Sequence, residues 1–80
     1  MIIKILGPGC ANCANLERAA REAATELGLD AQFEKVTDYA TIAGYGVMRT
    51  PGLVVDEQLV LSGRVPTTTQ VRDILAPLAG

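Results

Sequence analysis

The order of strand-like and helix-like patterns in the first third of the chain restricts the fold more than any other feature. Residues 1–6 form a short apolar run with β-branched side chains, and residues 7–9, a Gly-Pro-Gly sequence, break it. Such a run is typical of a buried strand followed by a tight loop. Residues 13–27 carry apolar side chains at helical spacing, and Gly28 is a natural helix end. A strand, a long helix and a second strand predict a parallel strand pair with a right-handed crossover.

Two shorter patterns follow and predict the second strand and a second helix. Apolar and polar side chains alternate over residues 29–34, as expected for a strand with one buried face. Thr37 or Asp38 can cap a short helix, which Gly44 and Gly46 would end.

The apolar runs at residues 53–55 and 58–61 are close enough in sequence to form a β-hairpin. Only Asp56 and Glu57 separate them. A two-residue hairpin turn needs positive φ angles, which favour Gly or Asn. We therefore expect the true loop to be longer than two residues.

The C-terminal segment predicts a third helix, which Thr67 or Thr68 can cap. Its apolar positions keep helical spacing at Val71, Ile74, Leu75 and Leu78. Pro77 is expected to end this helix after Ala76, because proline removes a backbone hydrogen bond and clashes with the preceding turn. The order β-α-β-α-β-β-α predicts an α/β fold with a four-stranded mixed sheet and three helices, and residues 1–80 as a single domain.

Composition excludes some classes of function. The net charge is −2, and the sequence has neither a basic run nor basic residues interleaved with aromatic ones, so it does not predict a nucleic-acid-binding surface. Lys4 and the break at residues 7–9 argue against a signal peptide or a membrane span. We therefore expect a cytoplasmic protein with no membrane partner, and a monomer.

Cys10 and Cys13 form a CxxC pair at the predicted junction of the first strand and first helix. A helix N-terminus favours a thiolate, so we interpret Cys10 as a nucleophile and Cys13 as the thiol that resolves a mixed disulfide. The chain contains no histidine, which excludes a Cys-His nucleophile. Arg49 or Lys4 could be an activating cation, although a role as an ordinary solvated side chain is the simpler interpretation for each.

The CxxC spacing is also compatible with two other kinds of function, metal or metalloid binding and redox sensing without catalysis. Zinc, copper and iron-sulfur proteins also contain CxxC, but a closed zinc site needs four ligands and this chain offers one thiol pair. A soft-metal or metalloid binder that holds Cu(I), As(III) or, in a dimer, an iron-sulfur cluster remains an alternative. Copper-chaperone domains would end in a strand, whereas residues 67–76 have helical spacing. A non-enzymatic redox-sensing adaptor is a further alternative.

Three features together resemble the thioredoxin/glutaredoxin superfamily, and within it the compact prokaryotic redox-active disulfide proteins. They are the strand-CxxC-helix start, residues 45–51 ending in Thr50 and Pro51 before an apolar strand, and Gly63 after that hairpin. The resemblance covers nearly the whole chain. It implies a thioredoxin-like fold.

The resemblance also implies an activity. It predicts a protein dithiol-disulfide oxidoreductase with catalytic Cys10 and Cys13, which reduces protein disulfides and is recharged by a thioredoxin-reductase-like flavoprotein or another reductant. Thr50 and Pro51 are similar to the cis-proline loop that contacts an extended substrate. Neither a bound cofactor nor a metal is expected.

The sequence departs from the larger thioredoxins at two places. They usually have a Trp and a Gly-Pro pair around the cysteines, where this chain has Gly9, Ala11 and Asn12. They also tend to bury an acidic residue in the strand before the motif, at the position that Lys4 occupies here. The redox potential therefore does not transfer, and no carboxylate proton acceptor for Cys13 is evident.

Overall fold

The secondary structure follows the predicted order. The computed structural model describes residues 1–9 and 11–79, so Cys10 and Gly80 lie outside the described residues. Within these ranges the elements are β1 (Ile2–Leu6), α1 (Ala11–Glu26), β2 (Gln32–Val36), α2 (Tyr39–Gly44), β3 (Gly52–Val55), β4 (Gln58–Ser62) and α3 (Thr68–Ala79). The predicted α/β fold class is confirmed.

In the described part of the chain, the strands form one mixed four-stranded sheet in the order β2-β1-β3-β4. β1 and β2 are parallel, with Ile2 opposite Gln32 and Leu6 opposite Val36. β3 runs antiparallel to both β1 and β4. The crossover through α1 therefore produces the parallel pair that the sequence predicts.

Alternation along β1 divides the core between the two faces of the sheet, because successive strand side chains point to opposite sides. One face packs against α1 and α3, and its buried residues are Ile3, Ile5, Leu16, Ala19, Ala20, Ala23, Leu53, Val55, Leu61, Val71 and Leu75. The other face packs beneath α2, and its buried residues are Leu6, Ile42, Val47 and Val54.

The second strand begins later than the sequence predicts. β2 starts at Gln32, whereas the alternating pattern started at residue 29. The backbone N-H groups of Gly28 and Leu29 donate to the last turn of α1, with N-O distances of 3.1 and 2.9 Å. The partner strand β1 begins at Ile2, opposite Gln32, so pairing starts there. Leu29 is half-buried and packs against the core without strand pairing.

The β3-β4 loop has two residues, so the expectation of a longer loop is wrong. Asp56 and Glu57 have φ angles of 48° and 70°. Positive φ costs roughly 1–2 kcal/mol per residue for most side chains. Here both residues gain compensating contacts: Asp56 exchanges two 2.8 Å hydrogen bonds with the backbone of Ile2, and the Glu57 carboxylate accepts from Lys4 and Tyr45.

The third helix runs through Pro77 to Ala79, so the predicted end at Ala76 is also wrong. Pro77 lies in the last turn, where it removes only the bond to the carbonyl of Asp73. Asp73 is exposed, and water can solvate its carbonyl group. A proline one turn earlier would interrupt bonds on which more of the helix depends.

Reciprocal hydrogen bonds cap the start of α3 and predict a measurable loss of stability. The Gln70 N-H donates to Thr67 Oγ1 at 3.1 Å, and the Thr67 N-H donates to Gln70 Oε1 at 2.9 Å. We expect Thr67→Ala to lower the free energy of unfolding by about 1 kcal/mol in urea titrations. The control Thr69→Ala, at an exposed position in the first turn, should change it by less than about 0.5 kcal/mol. Equal effects of the two substitutions would contradict the capping role.

Candidate redox site

The second cysteine of the motif lies in the first turn of α1 and points inward. α1 begins at Ala11, and Cys13 is only 6% exposed, on the helix face that buries Leu16 and Ala20. The sequence predicted this inward position for the resolving thiol. Cys10, the predicted nucleophile, lies outside the described residues.

The end of β1 passes directly against the sulfur of Cys13. A Cβ atom at Gly7 would collide with the Cys13 Sγ, and it would also lie 3.8 Å from the Cβ of Thr50. The backbone N-H of Gly7 donates to the Val36 carbonyl at 2.9 Å, so the glycine is held at this place. A residue without a side chain is therefore required here, whereas the sequence indicated only a loop.

The segment with Thr50 and Pro51 approaches Gly7 on the same side as Cys13, because a Cβ atom at Gly7 would contact both Cys13 and Thr50. The Thr50-Pro51 peptide bond is cis. Pro51 is fully buried and its carbonyl accepts a 2.9 Å hydrogen bond from the Gly63 N-H, while Thr50 is half-buried. The fold thus brings together three predicted site residues, Cys13, Thr50 and Pro51, from distant parts of the sequence.

The two candidate cations have other surroundings. Arg49 is exposed, and its Cβ lies close to Gly63. The ammonium of Lys4 donates to Tyr45 Oη at 2.8 Å and to Glu57 Oε1 at 2.6 Å, on the sheet face that packs beneath α2. The Lys4 side chain is only 17% exposed, so the interpretation of Lys4 as an ordinary solvated side chain is wrong, and these contacts give it a structural role.

A small cavity of about 80 Å³ opens beside Cys13. Its lining residues are Ile5, Gly7, Gly9, Cys13, Ala14, Glu17, Lys35 and Thr37. This volume holds a few water molecules, and the lining offers polar partners for them. The buried thiol therefore lies beside a space that water can occupy.

Glu17 supplies a carboxylate to this cavity, and the sequence reasoning missed it. Its side chain is 16% exposed and lies 3.1 Å from the Lys35 Nζ and 2.9 Å from the Arg21 Nε. Burial raises the pKa of Glu17, but the hydrogen bonds from Lys35 and Arg21 outweigh this effect and hold the pKa below its ordinary value. The carboxylate is therefore ionised at neutral pH.

The resemblance predicts a carboxylate near Cys13 only in the strand before the motif, whereas Glu17 lies on α1. Glu17 comes four residues after Cys13, and residues at this spacing lie on the same side of a helix. That spacing was the available signal. The partner Lys35 comes from β2, and only the parallel pairing of β2 with β1 brings it to the cavity.

Within residues 1–9 and 11–79, Cys, Asp and Glu side chains do not come together in a group of three that could hold a metal ion. None of the helices in the described ranges has the length and apolar character needed to cross a membrane.

Comparison with known proteins decides the family. A family model described as "Thioredoxin domain" matches residues 1–76. The chain belongs to the thioredoxin family. A thioredoxin from Methanothermobacter thermautotrophicus is 47% identical over 76 residues, which cover 95% of this chain and 99% of the relative. A thioredoxin from Methanocaldococcus jannaschii is 36% identical over 75 residues, which cover 94% and 86% of the two chains. The resemblance stated from the sequence is confirmed, and the chain is a thioredoxin-type redox protein, an oxidoreductase.

In this thioredoxin-family protein, the opposite charges of Glu17 and Lys35 should have opposite effects on the alkylation of Cys13. A neighbouring negative charge disfavours a thiolate and a positive charge favours it. In a Cys10→Ser background, we expect Glu17→Gln to lower the pH midpoint of Cys13 alkylation and Lys35→Gln to raise it, each by about one unit. Rates of labelling with iodoacetamide, followed by mass spectrometry across a pH series, measure the midpoint.

Glu26→Gln is the matched control, because Glu26 is at the far end of α1 and pairs with Arg72. It should leave the alkylation midpoint unchanged. Shifts in the same direction for Glu17→Gln and Lys35→Gln would show that the charges do not act on Cys13.

Proposed function

We propose that this protein is a dithiol-disulfide oxidoreductase that uses a Cys10/Cys13 couple to reduce disulfide bonds in protein substrates. The observation that carries the proposal is the buried Cys13 at the start of α1, beside Gly7 and Thr50. Membership of the thioredoxin family supports the same reaction class.

The reaction proceeds in two exchange steps. The Cys10 thiolate attacks one sulfur of the substrate disulfide, which forms a mixed disulfide and releases the other substrate sulfur as a thiolate. Cys13 then loses its proton and attacks the sulfur of Cys10. The new Cys10-Cys13 bond forms as the bond from Cys10 to the substrate breaks, so two electrons pass to the substrate and leave two thiols on it.

Burial divides the roles of the two cysteines. A thiol that is 6% exposed cannot meet a disulfide on a folded protein, but it can reach a sulfur three residues away in the same motif. Cys13 therefore acts as the resolving thiol and Cys10 as the nucleophile. The helix N-terminus favours the Cys10 thiolate.

Thr50 and Pro51 bind the substrate next to the thiols in this proposal. Their backbone groups would pair with an extended substrate segment. The short separation between Thr50 and Gly7, which itself touches Cys13, supports this role.

The proposal includes the cellular setting. A thioredoxin-reductase-like flavoprotein or another reductant returns two electrons to the Cys10-Cys13 disulfide after each cycle. Residues 1–80 act as a single domain and a monomer in the cytoplasm, without a bound cofactor.

Substitution of each cysteine tests the activity. We expect Cys10→Ser and Cys13→Ser to abolish the catalysed reduction of insulin by dithiothreitol, followed by turbidity, because each removes one sulfur of the couple. Thr69→Ala, an exposed change on α3, should retain wild-type activity. Full activity in both cysteine variants would refute the mechanism.

The same preparations distinguish the alternatives. Wild-type protein that leaves insulin oxidised, but takes up Cu(I) or As(III) only when both cysteines are present, would support the soft-metal function. Wild-type protein that does neither, yet forms a reversible Cys10-Cys13 disulfide, would support the redox-sensing adaptor.

A trapping experiment tests the order of attack. Incubation of Cys13→Ser with oxidised insulin should accumulate a mixed disulfide at Cys10, because the resolving sulfur is missing. Mass spectrometry of non-reduced peptides identifies the attached cysteine. Cys10→Ser should trap much less, since Cys13 is buried, and equal trapping by the two variants would reverse the assignment.

A further inference from the structure

The segment that carries Thr50 and Pro51 follows the short helix α2, which is six residues long. Of the residues in α2, which lies entirely in the described ranges, only Ile42 is buried. Val47 is buried in the same apolar cluster as Ile42, whereas the next residue, Met48, is 94% exposed. Burial of Ile42 and Val47 therefore provides one attachment of this region to the sheet.

Tyr45 supplies a second attachment. It is the residue directly after α2, and its hydroxyl accepts a hydrogen bond from the Lys4 ammonium at 2.8 Å and donates one to Glu57 Oε2 at 2.9 Å. Lys4 also donates to Glu57 Oε1 at 2.6 Å and lies 5.5 Å from the centre of the Tyr45 ring. We call these three residues the Tyr45 cluster.

The Tyr45 cluster joins three parts of the fold. Lys4 lies on β1, Glu57 is in the β3-β4 loop, and Tyr45 ends α2. The Lys4 side chain is 17% exposed, and its ammonium is also 3.9 Å from Glu34 on β2. Tyr45 is therefore held by one group on β1 and one group in the β3-β4 loop.

The cluster stays charged across the physiological pH range. Hydrogen bonds from Lys4 and then Tyr45 hold the pKa of Glu57 below its ordinary value. Hydrogen bonds to Glu57 and Tyr45 raise the pKa of Lys4. Both groups are ionised near neutral pH, so the cluster is a constant attachment and not a pH switch.

The position of Tyr45 sets where the following segment begins. Gly46, with a φ of 84°, turns the chain directly after Tyr45, and Val47 is buried one residue later. The other end is held by the buried Pro51 and its bond to Gly63. Residues 48–50 therefore connect two residues that are held in place, Val47 and Pro51.

We propose that the Tyr45 cluster positions the segment of residues 46–51 for protein substrates, and that Tyr45 is the positioning residue. This inference rests on the proposed function, because the segment is the proposed substrate-binding surface. The cluster is on the sheet face opposite the Cys13 cavity, since Lys4 and Ile5 are adjacent on β1 and Ile5 lines that cavity. Its loss should weaken substrate binding without changing thiol chemistry.

Tyr45→Phe is the test, because it removes one hydroxyl and keeps the ring against the Leu6 and Val54 cluster. We expect the KM for insulin to rise roughly three- to tenfold, because the substitution removes both hydrogen bonds of the hydroxyl, to Lys4 and to Glu57. The kcat for insulin and the rate with the small disulfide hydroxyethyl disulfide should stay within about twofold of wild type. Tyr39→Phe makes the same chemical change at an exposed position on α2, and it should alter neither the KM nor the kcat for insulin nor the rate with hydroxyethyl disulfide.

Two further measurements separate positioning from a general loss of structure. Amide hydrogen exchange at residues 47–50 should be faster in Tyr45→Phe, while exchange in α1 is unchanged. Glu57→Gln should also raise the KM for insulin, and the double variant should have no higher KM than the worse single variant, because both residues act as one unit.

The outcomes separate the two proposals. An active wild-type protein whose insulin KM is unchanged by Tyr45→Phe would overturn the positioning role alone. Equal loss of rate with insulin and with hydroxyethyl disulfide would also overturn it. Wild-type protein that reduces neither disulfide would overturn the proposed function, on which this role depends.

Discussion

The contact between the end of β1 and the first turn of α1 is the constraint on which the site depends. Gly7 lies so close to the Cys13 sulfur that no side chain fits between them, and Thr50 borders the same place. This contact buries Cys13 and brings Thr50 next to the motif. The proposed thiol-disulfide exchange requires this proximity, because Cys13 and the substrate disulfide would both have to meet the sulfur of Cys10.

Because side chains along β1 alternate between the two faces of the sheet, two clusters of charged side chains lie on opposite faces. Ile5 faces the cavity that contains Cys13, with Glu17 and Lys35 at its edge. Lys4, one residue earlier, faces the opposite side and joins Tyr45 and Glu57. The Glu17-Lys35 pair can therefore act on the buried thiol, while the Lys4-Glu57 pair holds the segment after α2. The two pairs lie on opposite faces of the sheet, to which Ile5 and Lys4 of β1 point.

Lys4 also marks a difference between this chain and the pattern of the larger thioredoxins. Lys4 occupies the strand position where, by the resemblance stated from the sequence, the larger thioredoxins tend to have an acidic residue, and it faces away from the Cys13 cavity; the carboxylate beside Cys13 comes from α1. A carboxylate on the helix lies four residues from the thiol, within one turn. The electrostatic surroundings of Cys13 are therefore built from different elements in this chain.

The sequence alone determined the element order, the parallel pairing of β1 with β2 and the apolar face of α1, since these depend on local periodicity. It offered two candidates for the cap of α2 and two for that of α3, of which the structure uses Asp38 and Thr67. Tertiary contacts decided what local rules predicted wrongly. The turn of Asp56 and Glu57 closes in two residues because distant groups on β1 and after α2 bind their carboxylates, and no local pattern records such partners.

The site divides in the same way. Two cysteines at a helix start and a Thr-Pro pair were recognisable as chemistry from their spacing and from the family resemblance. The need for Gly7, the meeting of Glu17 with Lys35, and the attachment of Tyr45 to Lys4 all join residues from separate elements. Such pairs depend on strand register and helix packing, which only the folded chain fixes.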